Sequence, residues 1–287
     1  MHQRAHDTKT TRAMIKRFIT YCKDIRGYSA NTCRAYERDL TKFVTWMQQA
    51  HPEAKWSTIT REEIDEYVIH MAEAGEKPST TNRQLSSIAS IYNFFIRQGW
   101  LKANPCKYES RRKLAEVIPG TIPVRDLQRA YSHASGCVKL MLGLLATTGI
   151  RLQEMLNIRW RDLDLEESSI IIYGKGNIQR KVFSTPEVLQ PLRDLEPNAK
   201  PDYRLFWLSP RKVRYMLDEA IRPYTKAEQI SPHIIRHTFA TALAQDGKDA
   251  NAIKMALGHK SLETSQRYVN FAELQQNGKA ISNTIIK

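Results

Sequence analysis

The stretch Ser231–Asn270 reads SPHIIRHTFATALAQDGKDANAIKMALGHKSLETSQRYVN and carries two histidines, an arginine and a tyrosine in a fixed order: His233, Arg236, His259 and Tyr268. His233 and Arg236 are three apart and share one face of a helix. His259 closes a Leu-Gly-His turn, and Tyr268 stands near the end of a short helical pattern. A tyrosine hydroxyl titrates near pH ~10, so at neutral pH it is a weak nucleophile that needs a proton acceptor and a target made more electrophilic. Histidine accepts protons near neutral pH, and arginine grips phosphate oxygens with a planar fork. The set therefore suits attack on a phosphodiester better than acyl or hydride transfer. Each residue alone is commonplace, and the order and spacing carry the signal. His237, about 100° around the helix from Arg236, reads as structural.

These side chains need a rigid frame, and the second half of the chain supplies a pattern for one. Residues 137–148, CVKLMLGLLATT, read as a strongly apolar helix central to a core, ended by Gly149 and followed by Arg151. Ile170-Ile171-Ile172 reads as a strand, Gly174-Lys175-Gly176 as a turn, and Arg180–Phe183 as the returning strand. Helices are expected over 186–195 and 211–221. The HIIR helix runs to Gln245, and Asp249 caps the next helix, which ends at Gly258.

The first half reads as four helices with short connections. Met14, Ile15, Phe18, Ile19 and Cys22 recur at helical spacing between Thr11 and Lys23. Ser29 caps a helix to Gln49, Thr60 with Glu63 caps a third, and Lys77-Pro78-Ser79 opens a fourth that Gly99 closes. After Trp100 a segment rich in proline and charge, with Arg111-Arg112-Lys113, marks an exposed connector. The expected fold is mainly α with a small β-sheet. It comprises a disordered 1–10, a four-helix domain over 11–103, a linker over 104–120, a mixed α/β domain over 121–270 and a tail over 271–287.

The formal charge of +14 favours a polyanionic partner. Residues 1–115 hold 20 Lys and Arg against 12 Asp and Glu, so the basic excess is not confined to one half. Cys22, Cys33, Cys106 and Cys137 form no CxxC pair, so reduced thiols and a cytoplasmic protein are expected. The longest apolar run, 140–146, is too short to span a bilayer, so no membrane partner is expected. No GxxxxGK[ST] loop or clustered carboxylates call for nucleotide or two-metal chemistry, so no cofactor is expected.

Read as a whole, HIIRHTFAT, LGH and Tyr268 resemble the C-terminal signature of the tyrosine recombinase (phage integrase) family. TGIRLQEMLNIRWRDLDLEESSIIIYGKGNIQRKV resembles that family's other catalytic segment. GYSANTCRAYERDLTKF and NRQLSSIASIYNFFIRQG resemble the two ends of its core-binding domain. The resemblance implies six catalytic residues: Arg151, Lys175, His233, Arg236, His259 and Tyr268. Lys181 and Arg180 stand near Lys175 as alternatives, and Glu154 reads as a buttress for the Arg151 loop. In the implied reaction Tyr268 forms a 3′-phosphotyrosyl link, Arg151, Arg236 and His259 hold the phosphate, Lys175 protonates the leaving 5′-oxygen, and His233 helps deprotonate Tyr268.

Arg34, Arg38, Thr80, Thr81, Asn82, Arg83, Arg111, Arg112 and Lys113 are the expected contacts to double-stranded DNA, with the two domains clamping one duplex. Phe271, Leu274, Ile281, Ile285 and Ile286 suggest docking of the tail on a second protomer, and the resemblance implies four protomers on two duplexes, with an accessory or heterologous recombinase as a further partner. The leading reading is a short, Xer-like recombinase acting in chromosome or plasmid resolution. The alternatives are a phage or mobile-element integrase or excisionase, a type IB topoisomerase-like enzyme, and a non-catalytic DNA-binding protein.

Overall fold

The computed structural model describes residues 2–106, 111–113, 120–174, 179–195 and 200–285, with side chains over 11–273 of these. The chain divides into two compact units, Met1–Glu116 and Val117–Lys287.

The first unit holds α1 (His2–Thr20), a π-turn over Tyr21–Ile25, α2 (Ala30–Ala50), α3 (Arg61–Glu73) and α4 (Pro78–Arg97). The helix starts follow local chemistry. Ser29 Oγ accepts the Thr32 N–H, the Glu63 carboxylate accepts the Thr60 N–H at 2.8 Å, and Pro78 needs no N–H partner at the first turn of α4. Phe43, Trp56, Tyr67, Tyr92 and Phe95 fill the core in edge-on and tilted contacts. Two buried hydroxyls are satisfied inside it, Tyr67 by Gln84 and Tyr92 by the Trp56 carbonyl. The first helix begins at His2, where the sequence pattern placed a disordered segment and a start at Thr11.

The second unit comprises α5 (Val124–His133), α6 (Gly136–Thr148), α7 (Leu152–Asn157), the meander β1 (Leu163–Asp164), β2 (Ser169–Tyr173) and β3 (Gln179–Phe183), then α8 (Pro186–Leu189), α9 (Pro210–Ile221), α10 (Pro232–Gln245), α11 (Ala250–Leu257) and α12 (Leu262–Ile285). Its sheet is antiparallel in the order β1-β2-β3, with Ile170 opposite Val182 and Ile172 opposite Arg180. The apolar helix α6 is the centre of this core, with Met141, Leu142, Leu144 and Leu145 buried. A separate small cluster of Ala240, Ala244, Ile253, Leu257, Tyr268 and Ala272 joins α10, α11 and α12. α12 runs unbroken past residue 270, where the sequence reading began a separate tail. Ile286 lies outside the described residues, and the side chains of Leu274, Ile281 and Ile285 are likewise not described. No described helix is long and apolar enough to cross a membrane.

Gly149 ends α6 with φ +60°, and a Cβ there would overlap Phe239 and lie 2.7 Å from Leu257. Backbone handedness and packing thus both demand glycine. Gly149→Ala should cost about 3 kcal/mol, left-handed strain and overpacking together. An unchanged urea midpoint for the variant would refute this account.

Candidate active site

Helix α10 is aimed by its first turn. Ser231 Oγ accepts the Ile234 N–H at 3.3 Å, and Pro232 follows. Ile235 enters the main core, while Thr238 Oγ1 accepts the Ile122 N–H at 2.9 Å and ties the helix to the start of the unit. Arg236 is thereby driven inward and is 2% exposed. Its Nη1 donates to the Gly149 carbonyl at 2.6 Å and its Nη2 to the Leu257 carbonyl at 2.8 Å. Burial, then the charge of Arg151, lowers its pKa to about 10, so it stays protonated at neutral pH.

Arg151 sits just past Gly149. Its Nη1 donates to Glu154 at 2.8 Å and its Nη2 to the Gly258 carbonyl at 3.3 Å. The two guanidiniums therefore meet successive carbonyls, at 257 and 258. Glu154 also accepts the Arg151 N–H at 2.9 Å and two bonds from Arg180, at 3.1 and 2.8 Å. Burial pushes the Glu154 carboxyl up, but Arg180 and Arg151 outweigh it and hold it below its ordinary value. Arg180 packs against Gly258, where a Cβ would sit 3.0 Å from its Nη1.

His259 follows Gly258 and pairs its Nδ1 with the buried Ser265 Oγ at 2.9 Å. Tyr268, 4% exposed, lies beneath, its ring stacked 6.2 Å from that of His259. Its hydroxyl is 2.5 Å from His237 Nδ1, and the His233 ring lies 4.4 Å from that of His237. Burial raises the Tyr268 pKa, with Arg236 opposing. Burial also lowers His237 and His259 to about 4, helped at His237 by His233 and Arg236 and at His259 by Arg236 and Arg151.

A cavity of about 740 Å³ opens onto this cluster, lined by Arg151, Glu154, Arg180, His259, Lys254 and Tyr173 among others. A second, of about 360 Å³, shares Asn157 and Tyr173 with it and carries Arg159, Arg161 and Arg204. Asp202 faces two of those arginines, Arg161 at 2.5 Å and Arg159 at 3.4 Å. Among the described residues no group of three or more His, Cys, Asp or Glu is placed to hold a metal ion.

Five of the six expected catalytic residues thus gather in one place; Lys175 lies outside the described residues. Two further side chains belong to the cluster. His237, read from the sequence as structural, touches the Tyr268 hydroxyl; it stands four residues after His233 and so shares its helix face. Arg180, considered only as a substitute for Lys175, is an arginine at an inward-facing strand position, where a charge needs a partner.

The expected DNA contacts of the first unit divide. Thr81 is fully buried and cannot touch a duplex: the α4 face that carries it points into the core. Asn82 exchanges two hydrogen bonds with the Arg112 backbone, and Arg112 Nη1 donates to the Glu76 carbonyl at 2.8 Å, so this pair fastens the connector to α4. Thr80 is half-buried. Arg34, Arg38, Arg83, Arg111 and Lys113 are exposed, with Arg83 tied to the buried Asp39.

Comparison with known proteins agrees with this arrangement. The phage integrase family profile matches residues 122–274, and that of the phage integrase N-terminal SAM-like domain matches residues 15–99. The chain belongs to the phage integrase family. It is a tyrosine recombinase, an enzyme of DNA strand cleavage and rejoining. It is 30% identical over 91% of its length to the tyrosine recombinase XerC of Thermodesulfovibrio yellowstonii, covering 92% of that protein. It is 27% identical to XerD of Listeria innocua, over 91% of this chain and 95% of the other. Its fold is similar to that of the XerH site-specific recombinase in a post-cleavage complex with its palindromic substrate, with a TM-score of 0.71 at 21% identity, over 93% of this chain and 84% of that one.

The depressed histidines set a pH dependence. Unfolded, they take up protons near pH ~6.5; folded, only near 4. A histidine depressed in the fold contributes stability that is whole above its unfolded pKa and is lost as pH falls. The unfolding free energy of the second unit should therefore decline from pH ~6.5 towards 4, and less steeply in the double variant His237→Gln, His259→Gln. Urea titrations at pH 7 and 5 that give the variant the wild-type slope would contradict this.

Proposed function

We propose that this chain is an Xer-like site-specific recombinase that binds double-stranded DNA and exchanges strands through a 3′-phosphotyrosyl intermediate formed on Tyr268. The observation that carries this reading is the concentration of guanidinium charge around one carboxylate. Arg151, Arg180 and Arg236 surround Glu154, which leaves an uncompensated positive site next to a phenol. A phosphodiester supplies the missing anion, and its attack by Tyr268 builds further negative charge on the non-bridging oxygens, where fixed cations help most. Each guanidinium has five N–H donors, so the carbonyl bonds of Arg151 and Arg236 leave donors for phosphate. His259 adds a further donor, His233 flanks the cluster, and Lys175 is assigned by resemblance to the leaving 5′-oxygen. Energy is kept in the phosphotyrosyl ester, so the reaction needs no nucleotide.

The low exposure of Arg236 and Tyr268 supports a protomer at rest, in which the phosphate gains access only when α12 shifts. The relatives named XerC and XerD favour the Xer-like reading over the others, and the resemblance implies action in chromosome or plasmid resolution by four protomers on two duplexes.

A duplex selected from a randomised pool by the wild-type chain, then nicked so that the 5′-hydroxyl fragment escapes, should trap a covalent protein–DNA band. Tyr268→Phe should give none, and Arg151→Ala should form it about 100- to 1,000-fold more slowly. An adduct that persists in Tyr268→Phe defeats the nucleophile assignment, and relaxation of supercoils without exchange of partners favours the topoisomerase reading.

The second arginine cavity adjoins the first, which suits a backbone phosphate next to the scissile one. Arg204→Ala should weaken binding to all duplexes alike and lower the salt dependence by about one phosphate contact. Identical salt slopes for variant and wild type would remove Arg204 from the interface.

A further inference from the structure

The resemblance gives His233 the task of helping to deprotonate Tyr268, yet the imidazole in contact with the phenol is that of His237, at 2.5 Å through Nδ1. His233 is exposed and touches His237 rather than the hydroxyl. Groups facing His237 are His233 and Arg236 from its own helix, and Tyr268 on α12 with His259 just ahead of that helix. None is a carboxylate, and burial, His233 and Arg236 all disfavour the imidazolium. A neutral ring with its proton on Nε2 presents the Nδ1 lone pair to the phenolic O–H.

We propose that His237 is the catalytic base that receives the Tyr268 proton during strand cleavage, a claim that rests on the recombinase reading above. As the Tyr268 oxygen bonds to phosphorus, the phenolic proton passes to His237 Nδ1. The bond from phosphorus to the 5′-oxygen breaks, and that oxygen takes a proton from a general acid, the part the resemblance gives to Lys175. On rejoining, the 5′-hydroxyl returns its proton to that same group as it displaces the phenolate, which recovers its own proton from His237, so the enzyme ends as it began. Burial and Arg236 hold His237 down to about 4, and an arriving phosphate offsets the nearby guanidiniums and makes the ring a better acceptor. The base is thus switched on by the substrate it serves.

The test uses the nicked duplex already described. His237→Asn places an amide near Nδ1 that keeps a hydrogen bond but takes no proton, and His237→Gln is the second variant. Both should melt and bind the duplex as wild type does, yet form the adduct about 100-fold more slowly. Replacing the bridging 5′-oxygen by sulfur, which leaves without protonation, should not restore them. A trifluorotyrosine at 268, whose phenol is more acidic, should recover at least ten-fold of the loss. Adduct formation within three-fold of wild type in both variants overturns the proposal, as does rescue by the sulfur substrate, which would put His237 at the leaving group. Should neither variant fold, trifluorotyrosine in the otherwise wild-type chain decides: an adduct rate that responds to phenol acidity supports the proposal, and an unchanged rate overturns it. A wild-type chain that forms no adduct on any selected duplex defeats the recombinase reading itself, whereas a reactive wild type with equally reactive variants defeats only the role of His237.

Discussion

The second unit depends on a buried cation that has no carboxylate of its own. Arg236 is withdrawn from water and held by two backbone carbonyls, those of Gly149 and Leu257. Dipoles replace only part of what water gives a guanidinium, so the arrangement costs stability. It persists because the surroundings over-determine it: α10 is anchored by Ile235 and Thr238, and Gly149 is fixed by a backbone turn that no side chain could share. The same bonds join the ends of α6 and α11 to α10. One side chain therefore aligns the segments that carry Arg151 and His259. The cost of burying the charge and the affinity for a phosphate proposed above would be two sides of one electrostatic deficit.

Glu154 shows how that deficit is kept within bounds. Three guanidiniums in one small region repel one another, and a single carboxylate shared by Arg151 and Arg180 relieves part of the repulsion while fixing both forks in orientation. A second carboxylate would neutralise more of that charge and weaken the attraction for phosphate proposed above. None at all would leave Arg151, with 45% of its side chain exposed, free to turn into solvent. The carboxylate therefore positions rather than neutralises, which agrees with its reading from the sequence as a buttress.

What the sequence made legible was the chemistry carried by identity and spacing: the helical His233–Arg236 pair, the Leu-Gly-His turn, Arg151 behind a Thr-Gly turn, and an apolar helix to hold them. Helix faces were harder. Thr81 and Asn82 look like good phosphate ligands by residue type, but α4 turns one inward and commits the other to the Arg112 backbone, and only packing decides that. His237 was set aside because it points away from Arg236, whereas its i, i+4 relation to His233 was the informative one. Arg180 was hidden because strand register, Ile172 opposite Arg180, is fixed by the hairpin as a whole rather than by local composition.

The second unit divides these parts between two hydrophobic clusters. The guanidiniums are framed by the large core around α6, rich in leucine and isoleucine, whose burial stabilises by roughly 1.5–3 kcal/mol per side chain. Tyr268 belongs to the small cluster, three of whose six buried members are alanines with little apolar area to bury. α12 packs on α10 and α11 through that cluster. That cluster is completed at its edge by Phe239, Leu243 and Val269, so α12 is seated on both helices along its first turns. The hydrogen bond to His237 keeps the Tyr268 hydroxyl oriented beside its proposed proton acceptor. A phenol seated over a small cluster, beside guanidiniums framed by a large one, is the arrangement that the proposed strand cleavage would use.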